Sequence, residues 1–281
     1  MTNDTNDTDR AKSTNLKLNS AEKIIAIIEG LYASKTIHLA EEPQGERQGT
    51  VQPQKKQESE KLQDGKTAEK TDSTAAPLHS PVNPLKFRPF KTAMMGDSMA
   101  VACGVDNQSQ GMMPRIAQGL ANRRQQEVSW ETHGKLGATM RRVRFREFNE
   151  ITSTDFDLLY ICAGSNDLMA QRSLVEWHDD LEDVISQAKK IAKNVVVLSP
   201  GQLYNSPSLG KKLRKAMLIA SDRQTAESSI ICKNAGVTFL DVTHVDVDAT
   251  IPEFYGSDNF HPGVMGYQII ADYVSKNTPM N

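Results

Sequence analysis

The sequence predicts an α/β protein built on a mostly parallel sheet that helices cover on both faces. Three observations carry this expectation. From residue 84 onward, five apolar or β-prone runs alternate with stretches of helical periodicity. One of them, Phe156-Asp157-Leu158-Leu159-Tyr160-Ile161-Cys162-Ala163, is apolar almost throughout, as in a strand buried on both faces. Several runs stop abruptly at Gly or Pro with polar residues alongside: Gly96-Asp97-Ser98, Gly164-Ser165-Asn166-Asp167 and Pro200-Gly201. In an open parallel sheet, ligands bind beyond such carboxyl ends.

The elements follow in order. Residues 91–95 form the first strand, Ser98 lies on the turn behind it, and a helix begins beyond. Residues 110–123 are helical, with Met113, Ile116, Ala117 and Leu120 on the inner side. A strand at 127–132 leads into the glycine-bearing loop His133-Gly134-Lys135-Leu136-Gly137-Ala138-Thr139, and 140–148 is helical. After the buried strand at 156–163, residues 174–192 carry the stripe Leu174, Trp177, Leu181, Val184, Ile185 and Ala188. A strand at 194–199, a helix at 209–235 capped by Gly236, a strand at 237–242 and a closing helix at 264–274 complete the pattern.

The first third reads differently. Residues 1–18 are rich in Asn, Asp, Thr and Lys and are read as disordered. Asn19-Ser20-Ala21-Glu22 has the form of a capping box. It opens a short helix over about 20–33, with Ile24, Ile25, Ile28, Leu31 and Tyr32 on one face. Such a face docks on its own domain, on a second copy or on a protein partner. Residues 41–83 offer almost nothing apolar to bury and are read as an unstructured linker. The expected division is thus an N-terminal region, 1–83, and a globular domain, 84–281.

Composition removes several classes. The formal charge of −2 over 281 residues gives no electrostatic case for nucleic acid or an anionic membrane. The three cysteines form no C-x-x-C pair, so neither a disulfide framework nor a zinc site is expected. No apolar run is long enough to span a bilayer, and the N-terminus has no basic and apolar leader, so a cytoplasmic location is expected.

Serine hydrolysis needs a nucleophile, a base, a group that orients the base, and donors for an oxyanion. Each has a candidate at a strand end: Ser98, Gly137, Asn166, and the pair Asp258 and His261. Other polar clusters read as structural. His244 with Asp241, Asp246 and Asp248 lacks calcium-loop spacing and is assigned to a solvated loop. Arg141, Arg142, Arg144 and Arg146 spread over more than one helix face, which favours a solvated surface over phosphate binding.

Together the blocks resemble the SGNH hydrolases, also called GDSL esterases/lipases. Gly96-Asp97-Ser98-Met99 is similar to the family's first block and Leu136-Gly137-Ala138-Thr139 to its second. Gly164-Ser165-Asn166-Asp167 is similar to the third, and Asp258-Asn259-Phe260-His261-Pro262 to the last. The resemblance covers residues 91–274. It implies a flavodoxin-like three-layer α/β/α sandwich with a five-stranded sheet. It implies hydrolysis of a small-molecule acyl ester through an acyl-enzyme, without metal or organic cofactor. Ser98 would be the nucleophile, His261 the base and Asp258 its orienting acid. Ser98 and Gly137 backbone N–H groups and the Asn166 amide would form the oxyanion hole. Met99 replaces the family's usual leucine, a swap of similar volume. His133 stands where many members carry asparagine and is expected, with Tyr204 beyond the fourth strand, to line the substrate cleft. The alternatives within the fold are a carbohydrate O-deacetylase, a thioesterase or a lysophospholipase. Outside it stands a non-catalytic interaction protein on a hydrolase scaffold. An α/β-hydrolase is disfavoured, because Ala100 replaces the second glycine of the Gly-x-Ser-x-Gly elbow.

Overall fold

Strand pairing begins from the most apolar segment. β4 (Phe156–Cys162) is buried at every position and lies between two parallel neighbours, β2 (Phe90–Gly96) and β5 (Ala192–Leu198). The structure is a computed structural model and describes residues 16–54, 88–246 and 251–280. β3 (Val128–Gly134) pairs parallel with the far side of β2, and β6 (Thr238–Leu240) with the far side of β5. These five strands run β3-β2-β4-β5-β6, the doubly wound order of flavodoxin-like sheets.

A sixth strand, β1 (Gln48–Val51), adds antiparallel to the outer edge of β3. The sheet therefore has six strands among the described residues, where the sequence reading expects five. The extra one arises inside the stretch read as linker. Its run Gly49-Thr50-Val51 is too short to stand out by periodicity, yet it satisfies the exposed edge of β3. The boundary expected near residue 83 falls outside the described residues.

Alternation along the strands feeds two cores. Met94 on β2 and Tyr160 on β4 face α2 (Met112–Arg124) and α7 (Val264–Asn277), packing with Ile116, Leu120, Tyr267 and Val274. Ala93, Met95, Leu159 and Ile161 face the opposite way. There they meet a broken helical segment at 140–150, α5 (Leu174–Ile191) and the end of α6 (Lys211–Ala235). A π turn at Val143–Glu147 interrupts the continuous helix expected at 140–148. This is a three-layer α/β/α sandwich. Among the described residues no helix is long and apolar enough to cross a membrane.

α1 (Ser20–Thr36) has the expected capping box, formed by Asn19 and Glu22. The helix leaves its apolar face largely uncovered. It buries Ala26 and Ala33, and leaves Ile24, Ile27, Ile28, Leu31 and Tyr32 each more than half exposed. Polar anchors at the start of α6 explain this. Glu22 pairs with Lys212 and Lys215, and the Glu29 carboxylate accepts from the Leu213 N–H at 2.7 Å. Glu29 thus caps α6 from another helix, where the N-cap residue Gly210 has no side chain to do so. A Cβ on Gly210 would lie 2.2 Å from the Glu29 carboxyl carbon, so only glycine admits this contact.

Candidate active site

Three strand ends come into register. Gly96 of β2 lies opposite Gly134 of β3 and Cys162 of β4. The approach to β4 is so close that a Cβ on Gly96 would sit 1.7 Å from the Cys162 carbonyl oxygen. Ser98, Gly137 and Asn166 each follow this row by two to four residues, so the fold gathers them at one rim.

The expected helix directly behind Ser98 is not formed; the chain makes a series of turns through Gly104. A single helical turn is present, with Val101 N–H donating to the Asp97 carbonyl and Cys103 N–H to that of Ser98. Asp97 lies beneath the serine. Its Oδ1 accepts the Met99 N–H at 3.0 Å, and burial pushes its carboxyl up to about 7.

The last block lies on the loop before α7. Asp258 and His261 are almost wholly buried, with His261 Nδ1 and Asp258 Oδ2 2.6 Å apart. Asp258 Oδ1 accepts the Phe260 and His261 backbone N–H groups, both at 2.9 Å. Burial alone would raise the Asp258 carboxyl; the His261 ring and the backbone donors outweigh it and hold the group well below the usual carboxylate range. An ionised Asp258 fixes the proton on Nδ1 and leaves Nε2 as the acceptor. Ser98 and His261 line the same small cavity, of about 40 Å³, together with Ser165, Leu203, Tyr255 and Phe260. The turn after Ser98 also packs on His261, since a Cβ on Gly104 would lie 2.7 Å from the His261 Cβ.

The second and third blocks meet each other. Asn166 Nδ2 donates to the Ala138 carbonyl at 3.0 Å, beside Gly137. Gly137 itself has φ +80°, a conformation glycine adopts without strain. Asp167 accepts the Met140 N–H at 2.8 Å and ties the same loop from below.

Two expected lining residues are held by contacts outside the small Ser98 cavity. His133 Nε2 contacts Glu131 Oε1 at 2.8 Å and does not line the Ser98 cavity. Residues two apart on a strand share a face, which brings the two side chains together. Tyr204 packs in a small apolar cluster with Leu168, Leu209 and Met217, and its hydroxyl donates to the Thr243 carbonyl. The arginine run is largely paired: Arg142 with Glu147, and Arg144 with Asp180 and Asp183. His244 lies between Asp241 (2.7 Å) and Asp222 (2.8 Å), the latter from α6; Asp248 is outside the described residues. Among the described residues no group of three or more His, Cys, Asp or Glu could hold a metal ion.

The sequence reading missed the segment between α1 and β1. Ala40 N–H donates to Asp258 Oδ2 at 2.9 Å, the same oxygen that binds the His261 ring. Glu42 Oε1 accepts the Leu136 N–H at 2.7 Å, next to Gly137, and Glu42 Oε2 pairs with Arg47 at 2.6 Å. Arg47 also donates to the Gly134 carbonyl. This strap touches both the acid and the glycine loop. A linker-like composition gave no sign of it.

Comparison with known proteins bears on the same residues. A G-D-S-L-family lipolytic protein from Veillonella parvula has the same fold, with TM-score 0.53 and 14% identity over 68% of this chain and 99% of that one. A lipolytic protein of the G-D-S-L family from Desulfitobacterium hafniense gives 0.51 and 16%, over 66% and 98%. A variant of an acetyl xylan esterase from Geobacillus stearothermophilus gives 0.50 and 20%, over 64% and 90%. No curated protein matches in sequence. The model of the GDSL-like lipase/acylhydrolase family matches residues 94–269, from within β2 into α7 and across all four blocks. With more than half its length matched and the doubly wound sheet in place, the chain belongs to the GDSL-like lipase/acylhydrolase family, serine hydrolases that act on ester bonds.

Proposed function

We propose that the chain hydrolyses carboxylic esters through an acyl-enzyme, with Ser98 as nucleophile, His261 as base and Asp258 as the acid that orients it. The reading rests on one observation: a buried Asp258–His261 pair faces the same cavity as Ser98. Ser98 Oγ attacks the carbonyl carbon while His261 Nε2 takes its proton. The tetrahedral oxyanion is received by the Ser98 and Gly137 N–H groups and the Asn166 amide. An amide nitrogen carries two hydrogens, and Asn166 spends one on Ala138. His261 then protonates the departing alcohol, and water repeats the sequence on the acyl-enzyme.

Ser98→Ala is expected to leave the fold intact and to remove nearly all turnover of a p-nitrophenyl ester. It is also expected to abolish labelling by a fluorophosphonate, which reacts only with an activated serine. Turnover equal to that of the unaltered chain would refute the assignment.

A further inference from the structure

The cavity at Ser98 is too small for anything beyond a short acyl group, yet it does not end at a wall. Phe260, next to the base, lines it on one side and a much larger groove on the other. That groove holds about 850 Å³, within the ~300–1,000 Å³ of small-molecule sites. Its floor is α6, through Leu213 and Met217; one side is α4 (Ser165–Met169), through Leu168; the other is α1, through Ile27 and Leu31. The side chains between the two spaces are apolar: Leu203 of the Ser98 cavity packs in one cluster with Leu168, Leu209 and Met217, and Phe260 packs against that cluster.

We propose that α1 is the outer wall of a binding site for a medium or long acyl chain, which leaves Ser98, passes Phe260 and lies in the groove between α1, α4 and α6. This inference rests on the esterase reading above. It explains why α1 docks by its alanines and glutamates. That face is satisfied by α6, which frees Ile27 (59% exposed) and Leu31 (61% exposed) to meet a ligand. Two large aliphatic side chains left in water across a groove from a third apolar face are what a hydrocarbon tail would cover. The length agrees. From Ile27 to its end at Thr36, α1 spans about 14 Å at 1.5 Å per residue. An extended chain advances roughly 1.2 Å per bond, as a three-bond peptide residue does in ~3.5 Å, so roughly eleven carbons fit. The wall lies outside the family-matched residues 94–269, so chain-length preference here is set by a part of the protein that the family model does not include.

The test uses the full chain and p-nitrophenyl acetate, butyrate, octanoate and decanoate. From butyrate to octanoate, kcat/KM is expected to rise about threefold per methylene, a little under the roughly fourfold of full burial. The double variant Ile27→Glu/Leu31→Glu is expected to flatten that rise while leaving acetate turnover unchanged. A falling or flat series in the unaltered chain overturns the proposal and leaves the esterase reading standing; it would mean a short-acyl enzyme, or a groove already filled by another part of the chain. A rise that the double variant does not alter overturns the role of α1. Dimerisation lost in that variant with the rise intact assigns the face to a second copy instead. Binding of a dodecyl fluorophore to the Ser98→Ala chain reads the groove without catalysis. Saturable binding weakened at least tenfold by the double variant supports the site even if no tested ester turns over, and absence of binding overturns it.

Discussion

Replacing Glu42 by alanine tests whether the strap supports the loop that carries Gly137, and with it the proposed oxyanion role of that loop. Its carboxylate receives the Leu136 N–H at 2.7 Å, and a hydrogen bond to a charged group contributes about 1.5–3 kcal/mol. The Arg47 partner is 37% exposed and Lys135 55%, so those pairs add less than about 1 kcal/mol together. The substitution is therefore expected to cost about 2 kcal/mol, a Tm lower by roughly 4–8 °C at this chain size. Burial pushes the Glu42 carboxyl up, but the Leu136 N–H, Arg47 and Lys135 outweigh it and hold it below its ordinary value. A lowered carboxyl stabilises the fold above the unfolded-state value and loses that effect as pH falls through the folded one. The Tm difference between the two chains is thus expected to shrink below pH ~4. Loss of a whole oxyanion donor costs about 10²–10³ in kcat; loosening the loop that carries Gly137 is expected to cost about tenfold, with KM for a p-nitrophenyl ester within about twofold. Glu42→Gln keeps an acceptor for Leu136 and is expected to recover most of kcat. Thermal melts and steady-state kinetics on the three chains suffice. Unchanged Tm and kcat in Glu42→Ala would refute the supporting role.

Two further outcomes follow from other contacts. Glu29→Ala uncaps α6 and is expected to lower stability by about 1–2 kcal/mol in a denaturant melt, and to expose the amides at the start of α6 to faster hydrogen exchange. His244 is raised above its ordinary value by its bond to Asp241, then by Asp222, against burial. A raised imidazole stabilises the fold below the unfolded-state value of ~6.5 and loses that effect as pH rises through the folded one. His244→Gln is therefore expected to cost more at pH 5.5 than at pH 9. The side chain is about a third exposed, so the difference stays under about 1 kcal/mol, and equal losses at both pH values would refute the raised imidazole.

The sheet and the chemistry-bearing blocks were legible because both leave local marks. β4 announces itself by an unbroken apolar run, and Gly96, Gly137 and Gly164 mark turns at which strands end. The six-strand count was not legible, because β1 is held by the unpaired edge of β3 rather than by its own residues. Which face of α1 docks on α6 was not legible for a related reason. Periodicity identified an apolar face, but Glu22 and Glu29 found partners on α6, 190 and 184 residues away, and these decided which face docks. His133, read from the family's asparagine position, and Tyr204, read from its place after the fourth strand, make hydrogen bonds with Glu131 and Thr243 that neither signal indicates. Pairings distant in sequence, such as that of Glu29 with Leu213, leave no periodic trace.

The bond from Ala40 to Asp258 bears on how such proteins are cut and recombined. A version trimmed to residues 94–269 would keep all four blocks and would pass a motif check. It would nevertheless lack one of the donors that hold the Asp258 carboxyl low. In this chain the segment ahead of the matched residues is on that account part of the surroundings of Asp258, whatever its composition suggests.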